Sequence, residues 1–192
     1  MTPSGWTISK PEGTSAQTTA DISASAPNSF ELKKDKSELI GVPSSPSLSA
    51  TFKKTTSGVV TLTVAVQVTS TKNDLLYIKV RNDRGGELGG VRLHNGTFGS
   101  IEAEGTYLPS SVTYVPNTWL NVRIDCDLRA KSYTVKCDDL TVIEDAPFRS
   151  IITSESCNAA SVVFQGAVNT KGSGQTAYID NIKLDSSKAS TP

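Results

Sequence analysis

Val59-Val-Thr-Leu-Thr-Val-Ala-Val-Gln-Val68 decides the fold class. Val60, Leu62, Val64, Val66 and Val68 alternate with Val59, Thr61, Thr63, Ala65 and Gln67. A period of two over ten residues is a strand with one face on a core, because successive side chains of an extended chain point to opposite sides. Leu76, Ile78 and Val80 then alternate with Tyr77, Lys79 and Arg81, and Val91 and Leu93 with Arg92 and His94. Asn95-Gly96 supplies the two positive φ angles of a tight hairpin turn into Thr97 and Phe98. Further on, Leu120, Val122, Ile124 and Cys126 alternate with Asn121, Arg123, Asp125 and Asp127, and Tyr133, Val135 and Cys137 continue the pattern. Val162 with Phe164, and the segment 177 to 184, add two more strands. Helix is scarce: the good helix formers of 31 to 40 read equally as a strand and turn after Phe30. Many short strands with Gly, Pro, Asn and Ser between them, and no helical crossovers, predict an all-β protein: an antiparallel β-sandwich of two sheets, of the jelly-roll class.

The chain has 192 residues, 19 Lys plus Arg and 19 Asp plus Glu. That length suits one domain, expected over 1–185 with a linker-like tail over 186–192. The balanced charge provides no global attraction for nucleic acid or an anionic membrane surface, and no apolar run approaches a membrane span. We expect no nucleic-acid partner, no membrane association and a monomer. Three cysteines, Cys126, Cys137 and Cys157, without a Cys-x-x-Cys pair, and the single histidine His94, lack the ligands of a zinc or redox motif. Cys126 and Cys137 continue inward faces of one hairpin and are expected close together, either as a disulfide or as two core thiols. Residues 1 to 20 show no basic stretch followed by an apolar one, so no signal peptide is expected there, and both ends read as linker.

Asn117-Thr-Trp-Leu-Asn-Val-Arg-Ile-Asp125, its partner Ser132-Tyr-Thr-Val-Lys-Cys-Asp138 and the closing Ala177-Tyr-Ile-Asp-Asn-Ile-Lys-Leu184 resemble the second half of concanavalin A-like jelly-roll domains. Such domains are common as carbohydrate-binding modules of secreted bacterial polysaccharide-degrading enzymes. The resemblance covers 59 to 184. It implies an extracellular module that binds polysaccharide and is covalently linked to a catalytic domain. It also implies a structural Ca²⁺ held by Asp180, in the Tyr-Ile-Asp-Asn strand, with backbone carbonyls near the N-terminus; hydrogen bonding of Asp180 and Asn181 to neighbouring backbone is the alternative. The same family contains glycoside hydrolases and polysaccharide lyases, so fold alone does not decide function.

The residues themselves therefore have to decide between binding and catalysis. If the strands around 76–81 and 91–94 pair through the Gly-rich turn 82 to 90, Tyr77, Lys79, Arg81, Arg92 and His94 form one cationic patch. Guanidinium groups take carboxylates in bidentate fashion, which suits a uronate-containing polysaccharide such as pectin, with Tyr77 as a stacking edge. The bland reading is a solvated face whose cations pair with Asp83, Glu87 or Glu102. Tyr77, His94, Arg81 and Arg92 could instead serve a lyase, an arginine neutralising the uronate carboxylate and the tyrosine or histidine moving its C5 proton as base and acid. Jelly-roll alginate lyases carry Arg-x-Glu-Leu-Arg and Gln-Ile-His strands, and Arg84-Gly-Gly-Glu-Leu88 and Val91-Arg-Leu-His94 depart from both. A glycosidase pair is weaker still. Glu102 and Glu104 share a strand face without the Glu-x-Asp-x-x-Glu spacing, and Asp125 and Asp127 read as outer positions beside a turn. Trp119 and Trp6 are assigned to packing, while Tyr107 and Tyr114, flanking the loop at 108 to 111, are second-rank ligand candidates. The expected function is a non-catalytic module for an acidic polysaccharide; the alternative is a small lyase or glycoside hydrolase.

Overall fold

The computed structural model describes residues 5–25, 27–34, 45–101, 106–149, 156–166 and 175–187. Two seven-stranded antiparallel sheets lie face to face. Across the first run β1 (Trp6–Ser9), β4 (Ser47–Thr55), β13 (Ala159–Gly166), β6 (Asp74–Arg81), β7 (Glu87–His94), β8 (Thr97–Ile101) and β9 (Tyr107–Thr113). Across the second run β12 (Leu140–Pro147), β11 (Ser132–Cys137), β10 (Leu120–Asp127), β5 (Val59–Val68), β14 (Gln175–Ser187), β3 (Ser29–Lys34) and β2 (Thr14–Thr19). The chain crosses between sheets after β1, β3, β4, β5, β9, β12 and β13, so half of the neighbouring pairs within the sheets are not consecutive in sequence.

The alternation in β5 works as expected. Val60, Leu62, Val64, Val66 and Val68 are each no more than 1% exposed, and they face Leu76, Ile78, Val80, Val91 and Leu93 of the first sheet within one core cluster. Each such side chain contributes about 1.5–3 kcal/mol by leaving water. Asn95 (φ 47°) and Gly96 (φ 82°) make the tight turn between β7 and β8. Tyr133 of β11 packs inward on β7, where an added Cβ on Gly89 would stand 2.5 Å from its ring. Glycine there lets a tyrosine fill the gap between the sheets.

Several expectations are corrected. Cys126 pairs with Tyr133 and Cys137 with Val122, so the two thiols sit four rungs apart along the hairpin, about 13 Å at the usual strand rise. Both are buried and free; the register set by the turn after Asp127 separates them. Trp119 is half-buried and lies outside the core cluster, whereas Trp6 does pack inward, its ring 6.2 Å from that of Phe164. Tyr114 is a core residue, 5% exposed and edge-on to Phe98, with its hydroxyl accepting from the Gly96 N–H. Residues 108 to 111 are part of strand β9 rather than a loop. β14 pairs on with β5 through Ser187, into the stretch expected as tail. Residues 31–34 are strand, and 35–40 lie outside the described residues, as do Glu102 and Glu104.

Candidate functional site

β6 and β7 pair directly, with Tyr77 opposite Arg92, Lys79 opposite Gly90 and Asp74 opposite His94. The outward positions of the hairpin therefore do share a face, and Tyr77, Lys79, Arg81, Arg92 and His94 all lie on it. A bulge shapes one end. Val80 pairs with Gly89 but Arg81 with Glu87, so Leu88 is the extra residue, turned to the core, and Glu87 returns to the outer face beside Arg81.

Tyr77 and Lys79 are deeper than an ordinary outer face allows, 5% and 7% exposed. Gly90 explains part of it: a Cβ there would lie 3.1 Å from Tyr77 Cε2, so the ring lies down over the glycine. The Tyr77 hydroxyl hydrogen-bonds Glu87 Oε1, and Arg149 Nη1 donates both to that hydroxyl (3.0 Å) and to Glu87 Oε2 (2.9 Å). Lys79 Nζ stands 4.1 Å from the Tyr77 ring centroid and donates to Gln165 Oε1 at 2.9 Å; Arg92 Cζ is 5.9 Å from the same ring. The Arg81 Nε is buried without a hydrogen-bond partner among the described residues.

Cations crowd this face: Lys79 feels Arg81, Arg149 and Arg92 as well as the carboxylate of Glu87. Burial draws the Lys79 ammonium down to about 8, Glu87 opposes that, and Arg81, Arg149 and Arg92 reinforce it. An amine in that range is part neutral base near physiological pH. Tyr77 moves the other way. Burial first, then the Glu87 charge and hydrogen bond, push its phenol above its ordinary value, against the opposing pull of Arg149. Its proton stays put.

His94 and Tyr107 form a separate aromatic edge. Their ring centroids are 4.7 Å apart, and the Tyr107 ring crosses Gly99, where a Cβ would stand 2.5 Å from Cε2. The Tyr107 hydroxyl bonds to Thr97, 2.9 Å from Oγ1 and 3.1 Å from the backbone oxygen. Gly99 pairs with Arg92, so this ring borders the cationic face.

Asp125 and Asp127 are on the far side of the sandwich. Asp125 is held by Arg123 Nε (2.8 Å) and Thr61 Oγ1 (2.6 Å), and Asp127 Oδ1 accepts the N–H groups of Arg129 and Ala130 at the turn. A shallow cleft lies over that sheet, lined by Thr61, Arg123, Asp125, Thr134, Lys136 and Asp185; Arg123 pairs with Asp125 and Asp185 with Lys183, and the cleft is on the opposite sheet from the Lys79 cluster.

Asp180 uses both oxygens on backbone, Oδ2 on Ser25 N (2.8 Å) and Oδ1 on Asn181 N (2.7 Å). Among the described residues no group of three or more His, Cys, Asp or Glu is placed to hold a metal ion, and calcium takes six to eight oxygens. Any calcium at Asp180 would have to draw its other oxygens from backbone carbonyls, the donors that the expectation named.

Arg149 and Gln165 were not legible as site residues. Gln165 carries a weak signal, an outward position between the inward Phe164 and Gly166 on β13. Arg149 carries none: it follows β12 of the second sheet and reaches the first because its N–H donates to Leu88 O at 3.3 Å.

No protein-family model and no curated protein sequence matches this chain. Solved structures do. An endo-β-1,4-glucuronan lyase from the fungus Trichoderma reesei superposes with a TM-score of 0.69 at 8% identity, over 96% of this chain and 92% of the other. An alginate lyase from Corynebacterium sp. gives 0.64 at 13%, over 96% and 95%. The sandwich is a concanavalin A-like jelly roll. A sialidase also matches it, with a TM-score of 0.72 at 12% identity, although this jelly roll covers 95% of itself and 17% of that much longer chain. Polysaccharide lyases and glycoside hydrolases thus share the jelly roll, and at such identities the likeness speaks for the fold.

Proposed function

We propose that this protein is a polysaccharide lyase that cleaves a uronate-containing glycan by β-elimination on the outer face of β6 and β7. The observation that carries the reading is Lys79, an amine drawn down to about 8 between cations that suit a uronate carboxylate. The C5 proton of a uronate becomes removable when its carboxylate is neutralised, and Arg81 and Arg92 are the groups for that. Neutral Lys79 takes the C5 proton. The C–H electrons form the C4–C5 double bond while the C4–O4 bond breaks, and the Lys79 ammonium returns the proton to the leaving oxygen when both lie on one side of the ring. No water is consumed, and the amine ends as it began. Tyr77, with its hydroxyl committed to Glu87 and Arg149, acts as a fixed wall beside Lys79. The glucuronan and alginate lyases of the same fold support this class of reaction.

A second reading, the non-catalytic module, is favoured by the shallow exposure of Tyr77 and Lys79. Arg81 and Arg92 would then hold carboxylates of an acidic glycan such as pectin, and secretion and an attached catalytic domain belong to this reading. Incubation with glucuronan, alginate and polygalacturonate separates the two. A lyase raises absorbance at about 235 nm, the region of unsaturated uronates, and Lys79→Met abolishes the rise while keeping the melting temperature. Flat absorbance with salt-sensitive retention on the same polymers would replace the lyase by the module. Neither signal on any uronate polymer would reject both.

A further inference from the structure

One rung of the first sheet crosses six strands as Ser9, Ser47, Gln165, Tyr77, Arg92 and Gly99, in the order β1, β4, β13, β6, β7, β8. Directly opposed residues share a face, so this rung and its neighbours form a continuous outer surface. Its chemistry changes at Gln165, whose Oε1 holds Lys79. On the β6–β7 side stand Lys79, Arg81 and Arg92. On the other side the outward positions are Ser161 and Val163 of β13, Ser47, Ser49 and Thr51 of β4, and Thr7 and Ser9 of β1. Among the described residues, these outward positions up to Lys53, near the end of β4, carry hydroxyls apart from Val163, and no charge.

The distances make the change matter. β4 and β1 lie two and three strands from β6, about 10 and 14 Å at normal strand spacing, beyond the Debye length of about 8 Å. A carboxylate placed there would lose water without meeting a cation. The hydroxyls of a neutral sugar lose nothing of the kind, because Ser and Thr both donate and accept.

We infer that this face takes a heteropolysaccharide, with a uronate over β6 and β7 and neutral, hydroxyl-bearing sugars over β13, β4 and β1, rather than an unbroken uronate polymer. The inference rests on the reading of the cationic half as a uronate site. Affinity electrophoresis against glucuronan, in which every sugar is acidic, and gellan, in which three neutral sugars separate successive uronates, tests it at matched chain length. Wild type should bind gellan at least about tenfold more tightly. Ser49→Arg, or Thr51→Arg if the first lowers the melting temperature, should raise glucuronan affinity by about threefold or more and leave gellan within about twofold. Equal or tighter wild-type binding of glucuronan overturns the inference, as does a folded arginine variant with no gain. Binding of neither polymer, or binding of both that Arg92→Ala does not weaken, instead removes the uronate site on which the inference stands.

Discussion

Removing Arg149 should unpin the centre of the cationic face, and its cost can be worked from the contacts. Its Nη1 donates to Glu87 Oε2 at 2.9 Å and to the Tyr77 hydroxyl at 3.0 Å, with the Arg149 and Glu87 side chains 24% and 9% exposed. Hydrogen bonds to charged groups contribute about 1.5–3 kcal/mol. Stripping one partner from a fully buried pair costs about 3–5 kcal/mol, but here water reaches part of the arginine and Tyr77 still donates to the carboxylate. Arg149→Ala should therefore destabilise by about 2–3 kcal/mol, which in a chain of this size lowers the melting temperature by roughly 5 to 10 °C. Urea denaturation of Arg149→Ala, Glu87→Gln and the double variant isolates the pair. With the carboxylate already neutral, the arginine has less to satisfy, so the double variant should recover at least about 1 kcal/mol relative to the sum of the singles. Arg123→Ala is the internal control. It also breaks an ion pair, at 2.8 Å to Asp125, but with the arginine 54% exposed the loss should stay near 0.5 kcal/mol. Additivity of Arg149→Ala and Glu87→Gln within about 0.5 kcal/mol would refute the idea that this pair organises the face.

Lys79 should leave a signature in stability against pH. Its folded value of about 8 lies below the unfolded lysine value, so between pH 8 and about 10 the unfolded chain binds a proton that the folded chain does not, and stability rises with pH there. Urea midpoints should show wild type gaining about 1–2 kcal/mol on Lys79→Met from pH 7.5 to 9.5; a constant difference would mean that Lys79 titrates as an ordinary lysine. Gly99→Ala should destabilise by about 1–3 kcal/mol, because its Cβ would stand 2.4 Å from Leu108 O as well as against the Tyr107 ring. Tyr107→Ala should fail to rescue it in thermal melts, since the backbone clash remains; full rescue would place the conflict in the ring alone. Asp180→Ala should cost about 1–2 kcal/mol through the lost Ser25 and Asn181 bonds, equally with calcium chloride or with chelator. A calcium-dependent rise in wild-type melting temperature that the variant lacks would make Asp180 an ion ligand.

Alternation alone determined which side of each strand faces inward. Val60 to Val68 could be assigned to the core, and Tyr77, Lys79, Arg81, Arg92 and His94 to one outer face, because a two-residue period and the Asn95-Gly96 turn are local properties of the chain. What lies beside a strand is not local. β13 and β6 are neighbours although β7 to β12 intervene in sequence, so Gln165 reaches Lys79 only through the sheet order. Arg149 reaches Tyr77 and Glu87 because the turn after β12 folds over Leu88, and Glu87 is outward because one bulge resets the register. Burial was decided at the same level. Tyr77 lies down because Gly90 leaves room, Tyr114 is drawn into the core while Trp119 stays half outside, and Cys126 and Cys137 are held four rungs apart by hairpin register. Side-chain direction follows from the backbone of a single strand, whereas depth, partners and the lowered Lys79 value come from the strands and turns packed round it, which depend on contacts between residues far apart in the chain.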